Sequence, residues 1–246
     1  MHAVFRPCIV IPYYDHEGAI GGLVERLRPN KLICWIVDDG SGIEAACVVD
    51  KLAAAEDGWL HVLRLPRNQG KGSAVRAGCE AAAAAGYTHA LQIDADGQHD
   101  TAAVPRLLAT AAADPAAVVT GVPRYDDSIP WIRYYGRYLT HALVWLHTLS
   151  FDLVDTMCGF RVYPLTPTLQ LWRREPVGHR MDFDTEMLVR LYWSGLRVIS
   201  VPTRVTYPED GVSHFRYLRD NARMVWLHLR LFAVMLRRLP RRWVRP

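Results

Sequence analysis

Two aspartates one residue apart, Asp94 and Asp96, close an apolar run in the stretch ALQIDADGQHD, residues 90–100. Alternate residues of an extended segment face one way, so the two carboxylates share a side. Hard divalent cations such as Mg2+ take oxygen ligands and bind through one or two carboxylates together with substrate phosphates. Gln98 adds a carbonyl oxygen on the same face, and His99 is placed to cap the loop or contact a phosphate. An Asx turn with Asp100 as helix N-cap accounts for Asp100 but leaves Asp94 and Asp96 unexplained. The pattern points to a metal site.

Three other polar clusters also follow short apolar runs: PYYDHEG (12–18), DDGSG (38–42) and PRNQGKGS (66–73). Singly each is weak, and Asp-Gly-Ser is a common turn. The Gly70-Lys71-Gly72 segment has neither the P-loop spacing nor the dinucleotide fingerprint. A lysine at a helix start still suits an anion, so a supporting role is expected of it. What gives the clusters weight is the set of elements that must carry them. Runs at 7–11, 32–38, 60–65, 89–94 and 116–121 are continuous and apolar, as strands buried on both faces of a parallel sheet are. Helix-like segments at about 18–28, 43–56, 71–86 and 101–113 separate them, which implies right-handed βαβ units. In such sheets ligands bind outside the carboxyl ends of the strands, where all four clusters fall. From about residue 122 the pattern changes to a polar loop and a long aromatic-rich helix. A short strand in DTMCGFRVYP, a helix at 183–194, one or two strands in LRVISVPTRVTYP and a final helix at 215–238 follow.

The 246 residues, 50% hydrophobic and 22% charged, suffice for one large α/β domain or two small ones. Net charge is only +4, but Arg219, Arg223, Arg230, Arg237, Arg238, Arg241, Arg242 and Arg245 face a single acid, Asp220, near the C-terminus. That asymmetry suits an anionic partner. Nucleic acid is disfavoured, because these arginines share their helix with a wide apolar stripe. The five cysteines lack zinc-like pairing and mostly lie in apolar runs, as buried thiols in a reducing compartment do. The N-terminus has no signal-peptide pattern and no stretch is long and apolar enough to span a bilayer, so a cytoplasmic protein is expected.

In order, VIPYYDHE, VDDGSG, RNQGKGSAVRAG, DADGQH, GVPRYDD, CGFRVYP and MDFDTEM resemble the motifs of the family-2 glycosyltransferases, over about residues 7–210. The likeness is to the dolichyl- and polyprenyl-phosphate sugar synthase branch. It implies the α/β GT-A fold, a mostly parallel central sheet with helices on both faces. It also implies a nucleotide-sugar donor, a divalent cation (Mg2+ or Mn2+) and transfer with inversion. Carried over by position, Pro12, Tyr14 and Glu17 would line the nucleotide pocket, Asp39 would bind the base with Asp38 close by, and Lys71 would lie near the donor. Asp94 would border the ribose and the metal, Asp96 and Gln98 would complete the metal site, and Arg124 would contact a phosphate. Arg137 lies where the family places acceptor-side basic residues.

A nucleoside diphosphate leaving group builds negative charge as the glycosyl bond breaks, which a cation and Arg124 would stabilise. A hydroxyl acceptor needs a carboxylate to activate it, for which RMDFDTEM offers Asp182, Asp184 and Glu186. On a helix starting near Phe183, Asp182 and Glu186 share a face and Asp184 points elsewhere; the family pattern favours Asp184. The same acids would also stabilise a helix N-terminus. A lipid phosphate, already ionised, would need no strong base. The family's two membrane spans after the catalytic domain have no counterpart in these residues, and DGVSHF departs from the family's Ser-Lys or Ser-Arg pair at His214. The expected organisation is a GT-A domain at 1–210 (donor half 1–121, acceptor half 122–210) and a basic amphipathic helix at 211–246. That helix would lie in the membrane interface, pack on the domain, or both. The expectation is therefore a metal-dependent glycosyltransferase, peripheral at the inner face of the membrane, with a lipid-linked acceptor. The alternatives are a sugar-phosphate nucleotidyltransferase and a non-catalytic membrane-associated module.

Overall fold

The computed structural model describes residues 4–56, 58–125, 131–206 and 217–243. Short Val-, Ile- and Leu-rich runs form strands β1 (Pro7–Tyr13), β2 (Cys34–Asp38), β3 (Leu60–Arg64), β4 (His89–Gln92) and β5 (Val118–Tyr125). Between them lie helices α1 (Glu17–Leu27), α2 (Ile43–Ala55), α3 (Lys71–Ala84) and α4 (Val104–Ala113). The second half adds α5 (Trp131–Thr148), β6 (Arg161–Pro164), α6 (Leu165–Arg174), α7 (Phe183–Trp193), β7 (Val198–Val205) and α8 (Tyr217–Trp243).

The strands form one sheet in the order β3-β2-β1-β4-β6-β5-β7. All pairings are parallel except those of β6, which runs antiparallel between β4 and β5. Six strand ends therefore point the same way, and the polar clusters gather on one rim. Alternation along β1 feeds two cores: Ile9 and Ile11 pack with Ile20, Leu23, Leu107 and Val162 on one face. Cys8 and Val10 pack with Val75, Phe183, Met187 and Leu227 on the other. That second core draws on α3, α6, α7 and α8, so the C-terminal helix shares it with the sheet.

Strand ends differ from the sequence expectation where function matters. β4 stops at Gln92, so Asp94 and Asp96 stand on the loop beyond it, and β5 runs on to include Arg124. The first turn expected of the fourth helix is 3-10, capped by Asp100, whose carboxylate accepts from Ala102 N at 2.9 Å. The short strand expected in DTMCGFRVYP is β6, whose antiparallel direction the sequence does not reveal, and helix α6 went unpredicted, because a Pro-containing helix carries little periodicity. Cys8, Cys34, Cys79 and Cys158 are buried thiols; Cys47 is exposed. Among the described residues no helix is long and apolar enough to cross a membrane. His214 lies outside the described residues.

Candidate active site

Asp39 joins the end of β2 to the turn before α3. Its two oxygens accept the backbone N–H groups of Gln69 and Gly70, each at 2.7 Å, which folds the segment before α3 against the end of β2. Burial raises its pKa, against those two N–H groups. Gly70 has φ +102°, and a Cβ there would meet His179 O at 2.2 Å, so this turn needs glycine. Asp38 is buried and bound to Arg64 (2.7 Å) and Ser41 N (2.9 Å), a supporting position. Asp15, in the loop after β1, accepts Gly42 N at 2.8 Å and joins the first two strand ends. Pro12 is buried in β1 beside Val37, whereas Tyr14 and Glu17 stand at the exit of that strand and the start of α1.

Lys71, the first residue of α3, sits at the centre. Its Nζ lies 2.8–2.9 Å from the oxygens of Asp94 and 2.6 Å from Asp184 Oδ2, on α7. One ammonium thus bridges an acid of the first half of the chain and an acid of the second. Burial works against the lysine's charge, but the Asp184 and Asp94 carboxylates outweigh it and push its pKa up. Burial likewise opposes ionisation of Asp94, yet Lys71 and His99 hold its carboxyl far below the usual range. Asp96 is shifted the other way, raised by burial and then by repulsion from Asp94. Two acids, one of them short of compensating charge, make an oxygen-rich site that a divalent cation suits. Asp96 Oδ1 accepts Gln98 N at 3.1 Å. Gln98 O accepts Thr206 N at 3.1 Å and Asp100 N donates to Arg204 O at 3.2 Å, so the end of β7 fixes the backbone of the loop that carries Asp94 and Asp96. His99 is buried against Phe160, with Nε2 3.9 Å from Asp94.

The acids of RMDFDTEM separate into two environments. Asp184 faces Lys71 and also accepts from Gln92 Nε2 at 3.0 Å. Glu186 is fully buried and accepts from Gly178 N (2.8 Å), Arg190 (2.7 Å) and Arg230 of α8. Asp182 lies 3.5 Å from the same Arg230 and accepts Arg180 N at 3.2 Å. Arg124 is exposed at the end of β5, in register with Arg204 of β7, on the rim that carries Asp94. Arg137 is bound at 2.5 Å to the buried Asp155, which also accepts Met157 N and Cys158 N. Gln92, Asp155, Arg161 and Tyr163 also belong to this neighbourhood; the resemblance covers the segment of Arg161 and Tyr163, but no role follows for any of the four from the sequence, since their partners are distant in the chain.

Residues 8–178 match the family described as Glycosyl transferase family 2. A polyprenol monophosphomannose synthase of Mycolicibacterium smegmatis is 29% identical over 223 residues, covering 85% of this chain and 80% of that protein. An uncharacterized protein of Methanocaldococcus jannaschii is 24% identical over 211 residues, covering 83% and 90%. Among solved structures, a glucosyl-3-phosphoglycerate synthase from Mycobacterium tuberculosis, in complex with Mn2+, uridine diphosphate and phosphoglyceric acid, superposes with TM-score 0.69. Its sequence identity is 16%, over 95% of this chain and 79% of that one, a likeness of fold. The nucleotidyltransferase and non-catalytic alternatives give way: with a GT-A fold and these motifs at its strand ends, the chain is a glycosyltransferase and belongs to glycosyl transferase family 2.

Proposed function

We propose that the chain transfers a sugar, with inversion, from a nucleotide-diphosphate sugar to a lipid-linked phosphate or hydroxyl at the inner face of the membrane, with the aid of a divalent cation. The observation that carries this reading is the Lys71 bridge, which brings the Asp94–Asp96 loop and Asp184 to one point on the sheet rim. Asp94, Asp96 and Gln98 would hold Mg2+ or Mn2+, which when bound would supply Lewis acidity towards the charge of a departing diphosphate. Asp39, Pro12, Tyr14 and Glu17, with Asp38 behind them, line the rim where the nucleoside would sit. Arg124, beside Arg204, supplies positive charge for a phosphate.

Asp184 is the acid of its cluster that faces the donor loop, so it is the group placed to take a proton from a hydroxyl acceptor. Glu186 and Asp182 are engaged by arginines and hold α7 and α8 together. A lipid acceptor is supported by the kinship with a polyprenol monophosphomannose synthase. It is also supported by the outward side of α8, where Val225, Trp226, Leu229, Phe232 and Leu236 are exposed although Leu227, Leu231 and Met235 already seat the helix. An amphipathic helix of this kind lies along a membrane surface rather than across it.

The test is a thermal-shift panel of UDP-, GDP- and dTDP-sugars with Mg2+ or Mn2+. Binding to the folded state alone raises the melting temperature. Stabilisation that needs both a nucleotide sugar and a metal is expected; no shift with any pair would refute the donor half of the proposal.

A further inference from the structure

CGFRVYP, residues 158–164, carries no recognisable chemistry in the sequence, yet it passes directly beneath the candidate site. Alternate residues of a strand share a face. Phe160 and Val162 turn into one core, while Gly159, Arg161 and Tyr163 turn towards the site. At Gly159 a Cβ would stand 2.6 Å from Lys71 Nζ and 2.7 Å from both Asp94 oxygens, so the absent side chain makes room for that pair. Arg161 is wholly buried. Its Nε donates to Thr120 Oγ1, its Nη1 to Tyr163 OH (3.2 Å) and Asp184 O (2.9 Å), and its Nη2 to Thr156 O and Cys158 O. All five N–H groups of the guanidinium are thereby satisfied, and none of these acceptors is a carboxylate. Tyr163 OH donates a hydrogen bond to Gln92 Oε1 at 3.2 Å, and Gln92 Nε2 donates to Asp184 Oδ1 at 3.0 Å.

We propose that Arg161, acting directly and through Tyr163 and Gln92, is the positioning residue that fixes Asp184 against Lys71 and locks the 156–159 turn under the donor loop. The inference rests on the reading of Asp184 as the acceptor-side acid. A buried arginine used only as structural filler would ordinarily be paired with an acid, because an isolated charge is costly to bury. Here the guanidinium instead gathers backbone carbonyls from the two segments that must meet at the site, and its one side-chain relay ends on Asp184. Gln92 leaves Oδ2 of Asp184 to Lys71, so both carboxylate oxygens have a defined direction. A rigid base within a fixed hydrogen-bonded frame is what orientation-dependent proton transfer requires.

Tyr163→Phe removes one hydroxyl and Gln92→Leu one amide, each with little change of volume; Arg161→Lys keeps the charge but loses the fork. With the wild-type protein and its donor, each variant should lower kcat on the order of tenfold while donor KM stays within about twofold. In an Asp184→Asn background the same substitutions should cost less than about twofold more, because the group they position is already gone. An undiminished kcat, a loss carried by donor KM, or full additivity with Asp184→Asn would each overturn the proposal. Hydrogen exchange supplies a readout that needs no turnover. Tyr163→Phe should speed exchange at 156–159 and 183–187 while β1 and β2 keep their protection; unchanged exchange there overturns the inference as well. Absence of sugar transfer by the wild-type protein would instead sink the proposed function, and the exchange experiment would still decide the positioning.

Discussion

Asp94 and Asp96 are neighbours with opposite electrostatic fates, and the difference has consequences for mutation. Asp94 is held ionised by Lys71, whereas the Asp96 carboxyl is raised by burial and by Asp94 itself. An acid whose folded-state pKa is raised opposes folding once it ionises, so its removal does not weaken the fold. Asp96→Ala should therefore keep or slightly raise the melting temperature of the metal-free protein while transfer falls at least on the order of a hundredfold, the scale of losing a principal electrostatic stabiliser. Excess chelator applied to the wild-type enzyme should reproduce that loss. Full activity under either condition would remove the metal from the mechanism.

At the scale of elements, α8 is joined to α7 by charge and to α5 by a ring contact, and both joints make predictions. Glu186 on α7 has its carboxylate filled by Gly178 N, Arg190 and Arg230, with no exposed edge. Glu186→Ala takes one acid each from Arg190, which keeps Glu175, and from half-buried Arg230, which keeps Asp182, and leaves Gly178 N unsatisfied, a cost of about 1–3 kcal/mol. Asp184→Asn, beside it in sequence, should lower kcat with a far smaller change in melting temperature; the reverse pattern would make Glu186 the functional acid. The second joint is His147 of α5, buried with Nε2 3.1 Å from His228 Nδ1 of α8 and the rings stacked. Burial, and then the neighbouring imidazole, pulls His147 down to about 4. A histidine whose folded pKa is depressed adds stability that is present above its unfolded value near 6.5 and is lost as pH falls towards 4. Melting temperature should thus decline between about pH 6.5 and 4, and less steeply in His147→Gln. Equal slopes for the two proteins would exclude the pair as the cause.

For the molecule as a whole, the fate of the arginine-rich tail matters most. Arg223 binds Asp220, Arg230 binds Glu186 and Asp182, and Arg238 binds Trp193 O, so part of the basic charge counted in the sequence is engaged by the protein itself. The outward surface is more apolar than the composition suggested, because Leu146 of α5 and Phe151 and Val154 beyond it are exposed together with the outer stripe of α8. Sedimentation with vesicles should therefore show binding that depends on anionic lipid but is only partly reversed by salt, whose screening weakens exposed charge and spares apolar burial. A Trp226→Asp, Leu229→Asp double variant should lose vesicle binding while keeping its melting temperature. Undiminished binding by that variant would remove α8 from the membrane contact.

The sequence by itself carried the strands, the order of the βαβ units and the gathering of polar clusters at strand ends, because each is written in local periodicity and turn chemistry. The Asp94–Asp96 pair was legible for the same reason, as two acids on one extended segment. Tertiary structure alone settled which acid meets which cation. Lys71 reaches Asp184 across 113 positions, and Gln92 reaches it across 92, only because β6 turns back between β4 and β5 and lays α7 against α3. Arg161 looked like one residue of a short strand until that insertion buried it among carbonyls of separate segments. Hydrogen-bond partners so distant in the chain leave no periodic trace, and it is the packing of the inverted strand that brings them together.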